Sequence, residues 1–331
     1  MKFEEVFTFQ NLFTSYENCC KGVNWKTSTK NYQIRAIQNV AETYKKLHEG
    51  TYKQKPFAKF MVCERGKSRQ IKALHISDRV VQKCYCDYFL VPLFQNRLIY
   101  DNGACMKNKG LLFTANRLKA HLQQYYRVNK TNVGYILTFD FSKFFDSINH
   151  EILLQKARKV IKDDRLFNIY KYFVNCFEGD KGLGLGSQIS QVSALYYTND
   201  MDHYIKEQHR MKYYGRYMDD GYIISSSKEK LKECLQTLIR FSAELKINLN
   251  LKKTRISRID KGFMFLNRHW VLKPTGYIKT KPSHTTLKRL KKRYRKILKI
   301  ATPDAVERYK SSTSGFIKFF NNRRIYDYVY N

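Results

Sequence analysis

Residues 213–226 read Tyr-Tyr-Gly-Arg-Tyr-Met-Asp-Asp-Gly-Tyr-Ile-Ile-Ser-Ser. Two short runs rich in aromatic and β-branched residues flank Met218-Asp219-Asp220. The stretch therefore predicts a β-hairpin with Asp-Gly at its turn. Taken alone, Asp-Asp-Gly is the composition of an ordinary hairpin turn. A second stretch changes its meaning. Tyr135-Ile136-Leu137-Thr138-Phe139-Asp140-Phe141 reads as a strand with a carboxylate, Asp140, near its end. If these strands are neighbours in one sheet, Asp140, Asp219 and Asp220 converge. Carboxylates so gathered hold divalent cations. Two such ions, about 4 Å apart, neutralise the attacking and leaving oxygens of a phosphoryl transfer together.

The charge balance points to the substrate. The chain has 331 residues, with 62 Lys+Arg against 28 Asp+Glu, a net +34. Such a chain repels itself unless a polyanion neutralises it, and nucleic acid is the usual polyanion. A solvated lysine surface is the plainer alternative. No apolar run of membrane-spanning length occurs, and Met1-Lys2-Phe3-Glu4-Glu5 is no signal peptide, so a cytoplasmic protein without membrane contact is expected. The eight cysteines lack CxxC or Cys/His spacing, which argues for reduced thiols and against zinc.

Outward from the two strands, residues 1–60 read as helical and polar, with Trp25 and Tyr/Phe residues as anchors. Residues 61–72 predict a basic hairpin turning at Arg65-Gly66-Lys67-Ser68. Helical spacing is expected over 77–99, 111–127, 149–161, 163–177, 189–208 and 228–245, and a glycine loop spans Gly182–Gly186. Phe263–Val271 and Tyr277–Thr280 predict a hairpin through Pro274-Thr275-Gly276. A dense basic helix follows at 288–299, with Leu287, Leu290, Tyr294 and Leu298 as its apolar stripe.

Tyr217-Met218-Asp219-Asp220, after Arg216, resembles the catalytic hairpin of reverse transcriptases. Phe139-Asp140-Phe141-Ser142-Lys143-Phe144-Phe145-Asp146 resembles their first catalytic motif, and the two stand in the family's order. Further matches cover about residues 60–270. The resemblance implies an α+β right-hand polymerase with fingers, a palm built on an antiparallel sheet, and a small helical thumb. Residues 1–134 would be the N-terminal segment and fingers. Residues 135–282 would be the palm, with a fingers-like helical insertion around 149–180, and 283–331 the thumb.

It also implies roles. Asp140 and Asp219 would be the main ligands of two Mg²⁺ ions, with Mn²⁺ an alternative; Asp220 and the Phe141 carbonyl would assist. Phe145 falls at the steric gate that selects dNTPs, whereas Phe144 reads as core. Arg69, helped by Arg65 and Lys67, would hold the triphosphate, for which a planar guanidinium fork is suited. Lys252-Lys253 resembles the lysine motif, without indicating which lysine faces phosphate. Gly262-Phe263-Met264-Phe265-Leu266 resembles the primer-grip hairpin, although Asn267 stands where glycine is frequent. Arg216, Tyr217, Met218 and the helix residues Lys288, Arg289, Lys292 and Arg293 would contact nucleic acid.

The glycine loop points to a subfamily. Most reverse transcriptases carry Gln-Gly followed after three residues by Ser-Pro. Here the string is Leu185-Gly186-Ser187-Gln188-Ile189-Ser190-Gln191, which resembles the diversity-generating retroelement enzymes. Leu185, Gly186 and Gln191 would then line the dNTP site. An aliphatic Leu185 cannot hydrogen-bond near the incoming sugar, and by resemblance this accompanies error-prone copying opposite adenine. A Leu185 that only packs is the alternative. The resemblance further implies a template RNA, a primer–cDNA duplex, a small basic accessory protein, and a bacterial or phage origin. Phage-defence, retron and group II-like reverse transcriptases remain alternatives. So does a non-catalytic nucleic-acid-binding protein on the same fold.

Overall fold

A computed structural model of the chain describes residues 1–64, 67–300, 302–320 and 322–331, with backbone only for Glu64, Lys67 and Ile300. The strands among them are β1 (Ala58–Glu64), β2 (Lys67–Ala73), β3 (Tyr135–Ser142), β4 (Tyr213–Tyr217), β5 (Asp220–Ser225), β6 (Asn248–Leu249), β7 (Arg255–Arg258), β8 (Phe263–Phe265), β9 (Arg268–Leu272) and β10 (Ile278–Pro282). All of their pairings are antiparallel. The chain divides into two compact units.

The first unit comprises 1–110, 141–210 and 236–250. Its N-terminal part is helical, as the sequence predicts: Phe9–Cys20, Thr27–Ile34 and Ala36–His48 are helices. Thr8 caps the first of these, its hydroxyl accepting from Asn11 N–H at 3.0 Å. The β1–β2 register pairs Cys63 with Ser68 and Glu64 with Lys67. Lys67 and Ser68 therefore belong to a strand rather than to the expected turn. Arg65 and Gly66, and the Lys67 side chain, lie outside the described residues.

The helix expected over 77–99 is in fact three segments. Ile76–Tyr85 leads into a wide turn at Cys86–Leu90 and then Val91–Gln95. Pro92 explains the break. Its ring would collide with the carbonyl four residues back, and it has no N–H for the ladder. The wide turn absorbs this, with Val91 N–H reaching back five residues to Cys86 O. The expected 189–208 helix likewise divides into Gln188–Tyr197, Asn199–His203 and a wide turn at Tyr204–Gln208. Aromatic side chains tie this unit together. Tyr85 is fully buried and donates to Leu166 O at 2.9 Å, and Phe94 stacks on Tyr196 at 4.0 Å.

The second unit comprises 111–140, 211–235 and 251–331. Here β3 lies between β5 and β7, and β4 flanks β5. The Leu111–Asn129 helix covers this sheet with Leu118, Leu122 and Tyr125, which pack with Ile136, Tyr222 and Ile224. The β8–β9–β10 meander adds Phe263, Phe265, Trp270 and Leu272 to the same core. The β8–β9 turn is Leu266-Asn267, both at positive φ (50° and 59°). Asn tolerates that conformation, so the turn forms without glycine at 267.

The last helices, His284–Ile300, Pro303–Lys318 and Arg323–Tyr330, enclose their own core of Tyr294, Tyr309, Ile317, Ile325, Val329 and Tyr330. The first of them packs through Leu287, Leu290, Tyr294 and Ile297. Leu298, expected on this stripe, is 54% exposed. A 3-4-3 spacing keeps one face of a helix better than 3-4-4, so Ile297 takes the inward position. Among the described residues no helix is long and apolar enough to cross a membrane.

Candidate active site

The site is built on the middle of the second unit's sheet. Ile136 to Phe141 are buried in succession, which anchors β3 on both faces and fixes Asp140, itself only 7% exposed. The register places Asp140 directly opposite Asp220 on β5, and Asp220 opposite Tyr217 on β4. The hairpin turn is therefore Met218-Asp219, two residues earlier than the expected Asp220-Gly221. Asp220 and Gly221 already belong to β5. Asp219 stands at the tip, and Asp220 faces Asp140 across the ladder.

Met218 adopts φ +53°. A positive φ at the first central residue of a two-residue hairpin is the position glycine usually fills. Arg216 holds the strained residue in place. Its side chain is fully buried and Nη1 donates to the Met218 carbonyl at 2.7 Å. This corrects the nucleic-acid contact expected of Arg216. A guanidinium with no exposed surface braces the turn and cannot reach a phosphate backbone. Met218 is also buried, and Tyr217 is half-buried.

The carboxylates repel one another. Burial, and then the Asp219 and Asp140 charges, push the Asp220 carboxyl up to about 8. Burial, with Asp140 as a further cause, also raises Asp219. Cations offset them: Lys253 Nζ lies 2.8 Å from Asp140 Oδ2, and the Lys253 and Arg216 charges both pull Asp219 down. That contact raises the lysine's own pKa. Lys253 lies in the turn between β6 and β7, the two strands that pair with β3 on either side of Asp140. Lys252, one residue away, is exposed.

Lys253→Ala is expected to lower the melting temperature of the metal-free chain. The lysine is 57% exposed, so the loss is at most about 1 kcal/mol. Thermal melting in chelator measures it, and an unchanged or raised melting temperature would remove Lys253 as the counter-charge.

Among the described residues, no three His, Cys, Asp or Glu side chains form a ready-made metal cage. Mg²⁺ does not require one. It keeps several waters and is commonly held by one or two carboxylates together with substrate phosphates. The hard oxygens of Asp140, Asp219 and Asp220 suit it.

The other residues marked by the sequence lie elsewhere in the chain. Phe141 is buried, and Phe144 is buried at 3% exposure; Phe145 is half-buried, its carbonyl accepting from Leu183 N–H at 2.9 Å. Leu185 is half-buried and bridges to β2: its carbonyl accepts from Lys72 N–H at 3.3 Å. Gly186 has φ +107°, and a Cβ there would meet Ile71 at 3.3 Å. Gln191 and Arg69 are exposed. All of these belong to the first unit. In the second unit Lys288, Arg289, Lys292 and Arg293 are exposed along one helix.

Sequence reasoning missed Arg268. Strand β9 carries it, 6% exposed, over the ring of Phe319 at 4.0 Å. No local signal distinguishes it from the many solvated arginines.

The family described as reverse transcriptase (RNA-dependent DNA polymerase) matches residues 52–298. The chain belongs to that family. It is 22% identical over 253 residues to protein YkfC of Escherichia coli K12, covering 64% of this chain and 65% of that one. The chain thus spans just under two thirds of that relative. Among solved structures it resembles truncated apo telomerase of Candida tropicalis (TM-score 0.53, 16% identity, 74% of this chain and 60% of that one). It also resembles Candida albicans telomerase in complex with a fragment of telomeric RNA (0.54, 11%, 80% and 55%). These likenesses establish the mixed helix and antiparallel-sheet polymerase fold.

Proposed function

We propose that the chain is an RNA-directed DNA polymerase that copies a template RNA into cDNA by two-metal phosphoryl transfer. The observation that carries this reading is Asp140 opposite Asp220 across β3–β5, with Asp219 at the adjoining turn and Lys253 on Asp140. Asp140, Asp219 and Asp220, with the Phe141 carbonyl, would hold Mg²⁺, or Mn²⁺ in its place. Bound there, the ions supply charge neutralisation at the attacking and leaving oxygens. The protein's own share is to fix the carboxylates on paired strands and to brace the turn through Arg216. Lys253 would exchange the Asp140 carboxylate for nucleotide phosphate as the metal arrives.

Arg69, with Arg65 and Lys67, would grip the triphosphate, and Phe145 would crowd a ribose 2′-hydroxyl. The exposed Lys288, Arg289, Lys292 and Arg293 would follow the template–primer backbone through charge rather than sequence. In this reading residues 283–331 are the thumb, 135–282 the palm and 1–134 the fingers with the N-terminal segment. The direct test is dNTP incorporation on an RNA template with a DNA primer, with and without Mg²⁺. Absence of Mg²⁺-dependent incorporation would leave a nucleic-acid-binding protein on a polymerase fold.

We further propose the diversity-generating subtype, in which a structured template RNA and a small basic accessory protein complete the enzyme of a bacterium or phage. Leu185 supports it. Its backbone is tied to β2 at Lys72, so the loop position is set by the main chain, while an aliphatic side chain offers no hydrogen bond to an incoming sugar. Leu185→Gln is expected to reduce misincorporation opposite template adenine several-fold, read by sequencing the cDNA. An unchanged error spectrum would reject the subtype argument.

A further inference from the structure

Residues 1–51 precede the segment that matches the family, yet part of them forms a surface of unusual chemistry. From Lys21 to Arg35 the sequence carries Lys21, Lys26, Lys30 and Arg35 and no Asp or Glu. The segment is well built. Val23 N–H bonds Cys20 O, Lys26 N–H bonds Val23 O, and Asn24 Oδ1 accepts from Gln33 Nε2 at 3.2 Å, which ties the turn to the Thr27–Ile34 helix. Thr29 and Tyr32 anchor that helix inward, Tyr32 against Tyr16 with ring centroids 5.7 Å apart.

On the opposite side Lys26, Lys30 and Ile34 recur every four positions and share one solvent face. Trp25 adjoins them, 74% exposed, with Lys26 Nζ 5.4 Å from its ring centroid; Ile34 is 79% exposed. Trp25 is therefore not the anchor its sequence context suggests: a tryptophan held in solvent by a hydrogen-bonded turn contributes nothing to the core. Its flat ring suits stacking by an unpaired base, and the cations around it suit the flanking phosphates.

We propose that this surface binds single-stranded RNA, stacking an unpaired base on Trp25 and seating adjacent phosphates on Lys26 and Lys30. A basic protein partner would be repelled here. Duplex would offer no open base face to Trp25. The choice of RNA over DNA rests on the polymerase reading, because the template is the single strand such an enzyme must hold outside the duplex. The stacking surface itself stands apart from that reading.

Fluorescence provides the test. The chain has two tryptophans, and Trp270 is only 1% exposed, so quenching by added nucleic acid reports Trp25. An oligouridylate of about 16 nucleotides is expected to quench the intact chain, and Trp25→Phe is expected to remove the quenching. Trp25→Ala should weaken binding about 5- to 160-fold. The double change Lys26→Ala, Lys30→Ala should lower the slope of log affinity against log salt by about 1.4.

Quenching that survives Trp25→Phe, or unchanged affinity in both other variants, overturns the proposal. Equal affinity for oligodeoxythymidylate overturns the RNA assignment. Quenching by polyglutamate that RNA cannot displace would mark an acidic protein site instead. The substituted residues are exposed, so the variants should melt as the parent does. The same titration in an Asp219→Asn chain separates the two readings. Quenching without any polymerase activity in the parent would sink only the enzyme, and activity without Trp25-dependent quenching would sink only this surface.

Discussion

Asp219→Asn is expected to abolish Mg²⁺-dependent dNTP incorporation, by at least about 10³-fold, because in the proposed mechanism the loss of a metal-holding carboxylate would forfeit several kcal/mol of charge stabilisation. The same change should raise the melting temperature of the metal-free chain. Asp219 stands beside Asp220, whose carboxyl is pushed up to about 8 by burial and then by the Asp219 and Asp140 charges. That shift means the folded state disfavours ionised Asp220. For this group, stability is fully present below the ordinary value of 3.8 and is lost as pH rises toward about 8. At neutral pH the cluster is therefore a source of strain, and an amide at 219 relieves part of it. A gain on the order of 1 kcal/mol corresponds to a few degrees. Adding Mg²⁺ should raise the parent's melting temperature more than the variant's. Retained activity, or a lower melting temperature in chelator, would contradict the carboxylate cluster. The opposite sign expected for Lys253→Ala separates charge repulsion from simple loss of contacts.

The second large effect concerns Gly221. A Cβ at this position would lie 2.1, 2.5 and 2.8 Å from three atoms of the Phe139 ring. Phe139 is directly opposite Gly221 in the β3–β5 register, is buried at 2% exposure, and stacks on Tyr214 at 6.4 Å. The ring lies over the glycine, filling the gap a side chain would occupy. Gly221→Ala must displace a ring that is confined on its other side, or push β5 from β3. Overpacking of this kind costs about 1–3 kcal/mol. Because β5 carries Asp220 one residue earlier, the displacement also misplaces a carboxylate of the proposed site, and on that proposal loss of incorporation should accompany the drop in melting temperature. The compensating change Phe139→Leu should recover part of the stability of Gly221→Ala. A variant that melts and polymerises like the parent would show that the close approach is not required.

Much of the site was legible in local sequence. Asp140 at the end of an apolar strand, and Tyr217-Met218-Asp219-Asp220 between two short β runs, name the carboxylates and the elements that bear them. Periodicity identified the helices at 111–129, 150–160 and 228–244 to within a few residues. It failed where one chemical group disturbs the ladder. The helix expected over 77–99 divides around Pro92, and the period of the surrounding apolar residues does not reveal the wide turn that accommodates it. The turn of the β4–β5 hairpin was misplaced by two residues, because Asp-Gly is a strong turn signal while Met218 adopts a positive φ that its side chain does not favour. That conformation exists because Arg216 bonds the Met218 carbonyl from within the core.

The sequence by itself determined the chemistry available: which carboxylates there are, the surplus of positive charge, and an aliphatic Leu185 in the glycine loop. These are properties of residue identity and short-range order. Only the tertiary structure decided that Asp220 faces Asp140, that Lys253 rather than its neighbour takes the counter-charge, that Arg216 is an internal brace, and that Trp25 stands in solvent among cations. Each depends on strand register, burial or a direct contact between residues far apart in the chain. One step of register reverses the face on which a side chain emerges.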